Sequence, residues 1–136
     1  MSGNVIVSND YITLEYRPDE QLIYHTIHQP IGPDQSQLFM DTLDAGTEAL
    51  QKYGVSKWLS DDRNNGPLVQ EVMDWSFQDW SPRTIAAGWK YWANVVPTEL
   101  AAAGTLVPVI DHLHKLGLRM QVFSNVEDAL QWLAKL

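Results

Sequence analysis

Hydrophobic and polar positions alternate along the first thirty residues in the way that is typical of a β-hairpin. Residues 11–16 alternate β-branched or aromatic side chains with polar ones, which predicts a strand. Residues 17–20 contain Pro18 and supply a turn, and residues 21–28 are predicted to form the antiparallel partner. Residues 4–7 are a candidate for a short leading strand.

The apolar positions between residues 34 and 53 recur at the three- and four-residue spacing of a helix. Asp34 and Gln37 have the spacing of a capping box at its start, and Gly54 stands where a left-handed residue would end it. A short strand is predicted next, over residues 55–60. The apolar positions of the helix are Phe39, Leu43, Leu50 and Tyr53.

Two further helices are predicted between residues 68 and 88. The first covers residues 68–80, and Ser81 and Pro82 are predicted as the N-cap and first residue of a separate short helix that ends at Gly88. In the first of these helices, four residues fall on one line: Leu68, Val72, Trp75 and Asp79.

Residues 91–96 form an apolar run that predicts a strand buried on both faces. A helix is predicted over residues 98–103. Pro108 cannot lie deep within a helix, because it lacks an N–H and its ring clashes with the preceding turn. A second helix, capped by Thr105, therefore places Pro108 in its first turn and ends at Gly117.

The chain closes with a strand predicted over residues 118–123 and a helix that a capping box of Ser124 and Glu127 begins. Strands that alternate with helices predict right-handed crossovers and a mostly parallel sheet. Because the opening hairpin is antiparallel, the sheet should be mixed. The pattern predicts one α/β domain over residues 1–136.

Composition narrows the classes of partner. A chain of 15.4 kDa buries about two-thirds of its unfolded surface, enough for a core without disulfides, and the chain has no cysteine. Its formal net charge of −8 disfavours nucleic acid and anionic membranes as partners. No signal peptide or membrane-spanning run is visible, so we expect a cytoplasmic location without membrane insertion. The chain has no glycine-rich phosphate loop, and we expect no cofactor.

Several short motifs carry a resemblance to a known group. They are residues 57–64 (KWLSDDRN), 80–83 (WSPR), 87–88 (AG), 92–97 (WANVVP) and 123–133 (FSNVEDALQWL). In these motifs and in the order of its elements, the chain resembles the small SpoIIAA-like proteins, which share the STAS (anti-sigma-factor-antagonist) and CRAL-TRIO type of fold. The resemblance spans residues 11–133. It implies a five-stranded sheet with helices mostly on one face.

The resemblance also implies a site that can be compared with this sequence. Signalling members carry a phosphorylatable serine or threonine in the loop after the third strand. Here residues 61–67 contain no hydroxyl, and Ser60 belongs to the predicted strand end. Asp61 and Asp62 would also repel a new phosphate. We therefore expect no phosphorylation switch in this loop.

The polar loop after residue 60 is nevertheless a candidate for binding a ligand or partner, because α/β sheets place their crevices at the carboxyl ends of parallel strands. Arg63 would suit an anion, and the two carboxylates a cation. In the alternative, Asp62 and Asn64 cap turns and Arg63 pairs locally. Neither a catalytic carboxylate pair nor a metal site is expected, because the adjacent aspartates share one environment and lack further ligands. The candidate residues are Asp61, Asp62, Arg63 and Asn64.

The four histidines are not predicted to form a site. His25 and His28 are three residues apart in a strand and point to opposite faces of the sheet. His112 and His114 diverge by about 200° around a helix, unlike the i, i+4 pair that binds zinc. We expect these histidines to be solvent-facing or hydrogen-bonded within the structure, and we expect no metal.

Six tryptophans are the most unusual feature of the composition. Trp58 and Trp92 lie in predicted strands and should pack in the core. The helix over residues 68–80 carries aromatic side chains on more than one face, so a second face must be buried against the core, a ligand or a partner. The candidates on this helix and just beyond it are Trp75, Phe77 and Trp80, with Arg83 as a hydrogen-bonding rim.

Three functions remain open from the sequence. The first is a non-enzymatic regulatory or protein-interaction module, expected to be a homodimer across the helix of residues 68–80. The second is a carrier for a small apolar ligand held by the aromatic cluster. The third is a hydrolase that uses Asp61 or Asp62, which requires a histidine nitrogen about 3 Å from one of these carboxylates.

Overall fold

Six strands form one mixed sheet in a computed structural model that describes residues 4–136. The strands lie side by side in the order in which they occur along the chain. They are β1 (Asn4–Ser8), β2 (Ile12–Arg17), β3 (Leu22–Ile27), β4 (Lys57–Asp61), β5 (Tyr91–Val95) and β6 (Arg119–Phe123).

The sheet has six strands, so the expectation of five was wrong. The additional strand is β1, which pairs antiparallel with β2 and contains an irregularity between Val5 and Val7. β2 and β3 form the predicted antiparallel hairpin, and β3 to β6 are parallel to one another. The mixed α/β architecture predicted from the alternation of elements is confirmed.

In the described part of the chain, six α-helices connect or follow the strands. They are α1 (Ser36–Tyr53), α2 (Gln70–Trp75), α3 (Ser81–Ala86), α4 (Thr98–Ala103), α5 (Val107–Lys115) and α6 (Val126–Ala134). α1 ends at Gly54, whose φ of 64° is left-handed, as predicted. Pro108 lies in the first turn of α5, where no N–H is required.

The observed N-caps differ from the predicted ones by one or two residues. A 3₁₀ turn over Pro33–Gln35 precedes α1, and the Gln35 side chain accepts the Gly32 N–H at 3.0 Å, so Asp34 and Gln37 do not form the capping box. α6 is capped by Asn125, whose side chain accepts the Asp128 N–H at 2.8 Å. Neighbouring polar residues compete for the same N–H groups, and sequence spacing alone does not decide between them.

The segment from α2 to α3 is one continuous helical path. A π-helical turn over Ser76–Trp80 joins the two helices, and the Ser81 N–H donates to the Ser76 carbonyl five residues back. Ser81 has helical backbone angles, so it is not the N-cap of a separate helix. Pro82, which has no N–H to donate, follows this turn, and proline and π turns are both common causes of helix distortion.

The π turn changes which side chains face the sheet. In a regular α-helix, Trp80 would be rotated by about 80° from Val72. The wider turn rotates less per residue, and both Val72 and Trp80 are buried in the main core. Asp79, which was predicted to fall on one line with Val72, instead points outward and pairs with Arg83.

Two apolar clusters cover opposite faces of the sheet. The larger cluster joins the sheet to α1, to the α2–α3 segment and to α5, so most helices lie on one face, as expected. The smaller cluster lies between β3–β5 and α6. Within residues 4–136, no helix is long and apolar enough to cross a membrane.

Candidate functional site

The candidate loop begins inside the sheet. Asp61, which was predicted to belong to the loop, is the last residue of β4, and the backbone N–H of Asp62 still donates to the Val95 carbonyl of β5 at 2.8 Å. Because side chains alternate along a strand, these adjacent aspartates leave the sheet on opposite faces. The two carboxylates therefore do not form a pair.

Asp62 lies on the face that carries the tryptophans, and its Oδ1 is 3.0 Å from His25 Nε2. His25 lies in β3 and is buried. Its other nitrogen, Nδ1, accepts a hydrogen bond of 3.0 Å from Trp58 Nε1. Because the indole N–H can only donate, Nδ1 must be unprotonated, and Nε2 carries the proton that it donates to Asp62. The two partners thus define the neutral tautomer of His25.

Ser60 extends this network toward β5. Its hydroxyl lies 3.4 Å from His25 Nδ1 and accepts a hydrogen bond of 2.9 Å from Trp92 Nε1. The residue is 1% exposed. Two indole N–H groups thus converge on the serine and histidine of neighbouring strands.

Ser60, His25 and Asp62 have the residue types of a hydrolytic triad, but their hydrogen bonds are those of a structural network. The Nδ1 lone pair that would take the serine proton already accepts the Trp58 N–H. A nucleophile must also reach its substrate, and Ser60 is enclosed by the sheet and Trp92. The arrangement orients Trp58 and Trp92 and satisfies polar groups that the core encloses.

Asp61 has a different environment on the other face. Arg63 donates two hydrogen bonds to its carboxylate, from Nε to Oδ1 at 2.9 Å and from Nη2 to Oδ2 at 2.7 Å. The carboxylate also lies close enough to Tyr24 to affect its ionisation. Burial and then the negative charge of Asp61 raise the pKa of Tyr24 above its usual value of 10.0.

The rest of the loop is held by the chain itself. Asn65 Oδ1 accepts the Ile31 N–H at 3.2 Å, which ties the loop to the segment that precedes α1. The Asn65 N–H donates to the Asp62 carbonyl at 3.0 Å, closing a turn around Arg63 and Asn64. Both of these central residues are exposed, and Arg63 is committed to Asp61.

Five of the six tryptophans assemble into one cluster beneath α1 and the α2–α3 segment. Trp80 is central: its ring centroid lies 5.3 Å from that of Trp58 and 5.2 Å from that of Trp89, and its Nε1 donates to the Leu43 carbonyl at 3.1 Å. Trp80 is therefore a core residue with its polar atom satisfied. Trp75 is half-buried and stacks on Trp80, with their centroids 6.4 Å apart, and Trp92 completes the cluster beside Trp89.

Phe77 differs from these tryptophans. It is half-buried but belongs to neither apolar cluster, and Met73, one turn earlier, is 37% exposed. Arg83 lies nearby in sequence and bridges Asp44 of α1 (3.0 Å) and Asp79 (3.1 Å). The outer face of the α2–α3 segment thus has an apolar pair and an ion-paired arginine.

Two clefts lie at the amino-terminal ends of the parallel strands, at the opposite end of the sheet from the candidate loop. One has a volume of about 580 Å³ and is bordered by the end of α1, the end of α3 and the residues before β4 and β5. A smaller one of about 150 Å³ lies beside the stacked rings of Tyr16 and Tyr53. Neither includes a tryptophan among its lining residues. Among residues 4–136, no three histidine, aspartate or glutamate side chains converge as metal ligands.

The contact between His25 and Asp62 was not predicted from the sequence. Alternation within β4 shows that Trp58 and Ser60 share a face. It does not show that β3 is the neighbouring strand, in the register that sets His25 beside Ser60. The other histidines are exposed, and His28 Nε2 contacts the Thr13 hydroxyl at 2.7 Å.

Comparisons with known proteins identify the fold and no more. No protein-family description and no curated protein matches the chain. A solved structure does match: an uncharacterized protein from the DUF3478 family with a SpoIIAA-like fold, from Shewanella loihica PV-4. The TM-score is 0.61 at 17% sequence identity, and the match covers 98% of this chain and 96% of the other. The resemblance inferred from the sequence motifs is therefore confirmed as a likeness of fold, and this chain has a SpoIIAA-like fold.

Proposed function

We propose that the protein is a non-enzymatic, cytoplasmic protein-interaction module that binds a partner through the outer face of its α2–α3 segment. The observation that carries this proposal is the pair formed by Met73 and Phe77. These side chains are one helical turn apart and lie outside both apolar clusters. An apolar pair with a polar rim is the usual composition of a small protein-binding surface.

The hydrogen bonds and ion pairs of the polar groups support a non-enzymatic role. The Ser60 hydroxyl and both His25 nitrogens are engaged inside the core, and Arg63 neutralises Asp61. A catalytic group must be free to exchange its proton with a substrate.

Site-specific photo-cross-linking tests the proposed face. A benzophenone amino acid at position 77 should give a discrete protein adduct in a cell extract, whereas the same probe at position 107 serves as the control. Val107 is apolar and 51% exposed but lies on α5. The purified partner should then bind Met73→Gln at least tenfold more weakly than it binds the wild type. Equal adducts from both positions, or unchanged binding by Met73→Gln, would contradict the proposal.

A hydrolase is the second candidate, because a histidine nitrogen does lie 3.0 Å from Asp62. Hydrolysis of p-nitrophenyl acetate by the wild type, Asp62→Asn and Ser60→Ala tests it. Activity that both substitutions abolish would favour the hydrolase. Equal background rates in all three proteins would favour the interaction module.

A further inference from the structure

His25 is a buried titratable group that joins the sheet to the tryptophan cluster. It is 4% exposed, and its two partners require one protonation state. Nδ1 accepts the Trp58 N–H at 3.0 Å, and Nε2 donates to Asp62 at 3.0 Å. An imidazole that takes up a second proton donates from both nitrogens, so it can no longer accept the indole N–H.

Ser60 offers the protonated ring a different partner. Its hydroxyl oxygen lies 3.4 Å from His25 Nδ1 and already accepts the Trp92 N–H at 2.9 Å. A hydroxyl group can accept two hydrogen bonds and donate one. Ser60 can therefore accept an Nδ1–H of His25 as well, provided that its own proton finds an acceptor.

Asn94 is the candidate for that acceptor. Strand register places it beside Ser60 in β5, and alternation along the two strands puts both side chains on the tryptophan face. Asn94 is 6% exposed, and its Oδ1 is buried without a hydrogen-bond partner among residues 4–136. Buried polar atoms are seldom left in that condition. A hydrogen bond from Ser60 would satisfy this oxygen.

Asp62 is the charged side chain that faces His25. The register neighbours of His25 in β2 and β4 are Leu14 and Ser60, and the charged residues of those two strands lie on the opposite face of the sheet. α1 also packs against β3. The charged residues of α1 and α2 are exposed or, for Asp44, paired with Arg83: Asp41, Asp44, Glu48, Lys52, Glu71 and Asp74.

The surroundings of His25 therefore act in opposite directions. The negative charge of Asp62 favours the protonated ring, whereas burial and the Trp58 N–H favour the neutral ring. The side chain of Asp62 is 23% exposed, so the network reaches solvent at this residue.

We propose that His25 makes the tryptophan cluster sensitive to pH. When a proton from solvent binds Nδ1, the ring donates to Ser60 and Asp62, and Ser60 donates to Asn94. The Trp58 N–H then has no acceptor and must move, because a buried donor without a partner is costly. This inference concerns the cluster itself and does not depend on the partner proposed above.

The position of Trp58 carries the change to the helices. The ring lies directly against Gly46, so there is no room for it to move toward α1. It meets the Trp80 ring edge-on, with the centroids 5.3 Å apart, and Trp80 belongs to the π turn of the α2–α3 segment. Protonation of His25 should therefore loosen the packing beneath this segment.

Circular dichroism between about pH 8 and about pH 5, where unperturbed histidines change charge, tests the proposal. The near-ultraviolet signal of the tryptophans should fall as the pH is lowered, while the far-ultraviolet signal stays constant. His25→Asn should lose this transition, because its amide oxygen can accept the Trp58 N–H and does not titrate. His28→Gln, which alters an exposed histidine, should keep it.

Three results would overturn the proposal. They are a constant near-ultraviolet signal in the wild type, a loss of far-ultraviolet signal at the same pH, and a transition that His25→Asn retains. Asp62→Asn should move the transition to lower pH, because it removes the negative charge that favours the protonated ring. A transition at unchanged pH in Asp62→Asn would also count against His25 as its origin.

Nuclear magnetic resonance of the wild type gives a test that needs no variant to fold. The nitrogen shifts of His25 should show Nδ1 unprotonated above the transition and protonated below it. The Trp92 N–H donates to Ser60 in both arrangements and serves as the internal reference. Relative to it, the Trp58 N–H should exchange with solvent at least tenfold faster below the transition. A neutral His25 throughout, or an unchanged ratio of exchange rates, would contradict the proposal.

Discussion

Asp61 and Asp62 are neighbours in sequence, yet they belong to different environments. Asp62 faces the tryptophan side of the sheet, where buried His25 donates to it. Asp61 faces the α6 side, where half-exposed Arg63 holds it through two hydrogen bonds. Two adjacent carboxylates thus serve as the ends of two unrelated networks, because alternation along a strand separates their side chains.

The two faces of the sheet should differ in how well they tolerate substitutions. On the tryptophan side, large rings fill the space beneath the helices, and the polar atoms of Trp58, Trp80 and Trp92 all have internal acceptors. On the other side, α6 covers part of the sheet, and charged groups remain in contact with solvent. Changes on the first face should therefore cost more than changes on the second.

The largest effect is expected for Gly46→Ala in α1. A Cβ at this position would lie 2.9 Å from two atoms of the Trp58 ring, and the ring is enclosed by other tryptophans. We expect the free energy of unfolding to fall by about 3 kcal/mol in urea denaturation. Glu48→Ala, on the exposed side of the same helix, should change it by less than about 0.5 kcal/mol. Equal stability of the two variants would show that the cluster has room to adjust.

A smaller loss is expected for His25→Phe, which removes the acceptor of the Trp58 N–H and leaves that group buried without a partner. The free energy of unfolding should fall by about 2 kcal/mol. Asp62→Asn retains an oxygen that can accept the His25 N–H and should cost only about 0.5 kcal/mol. If both variants lost the same stability, charge rather than hydrogen bonding would hold the network together.

On the α6 face, Arg63→Ala should cost about 1 kcal/mol, because Arg63 is half-exposed and solvent screens its interaction with Asp61. Arg119→Ala, at the exposed start of β6, is the matched control and should be nearly neutral. Thermal unfolding at neutral pH measures both. If Arg63→Ala lost as much stability as His25→Phe, the expected contrast between the two faces of the sheet would be wrong.

The smallest effect concerns the ionisation of Tyr24. Because its pKa is raised in the folded protein, its contribution to stability is fully present below about pH 10 and is lost as the pH rises through the folded-state pKa. The ultraviolet difference spectrum between the wild type and Tyr24→Phe isolates this one of five tyrosines. Asp61→Asn should lower the pKa of Tyr24 toward its usual value. An unchanged titration in Asp61→Asn would show that burial alone raises this pKa.

Much of the fold could be predicted because hydrophobic periodicity is a local property of the chain. The hairpin, the long helix ending at Gly54 and the mixed sheet all followed from it. The π turn did not, because it places Trp80 rather than Asp79 toward the core, and that choice depends on the space between Trp58 and Trp89. Likewise, residues 4–7 indicated a strand, but only its pairing with β2 placed it at an edge.

By itself, the sequence determined which residues alternate, where the chain turns and which polar groups follow β4. Tertiary structure alone decided that His25 meets Asp62 and Trp58, that Trp80 is enclosed while Phe77 is not, and that β1 has no second neighbouring strand among residues 4–136. The physical reason is that side-chain periodicity is set within each element, whereas these contacts join residues 33 to 37 positions apart. Such contacts depend on strand register and on how much volume the neighbouring elements leave.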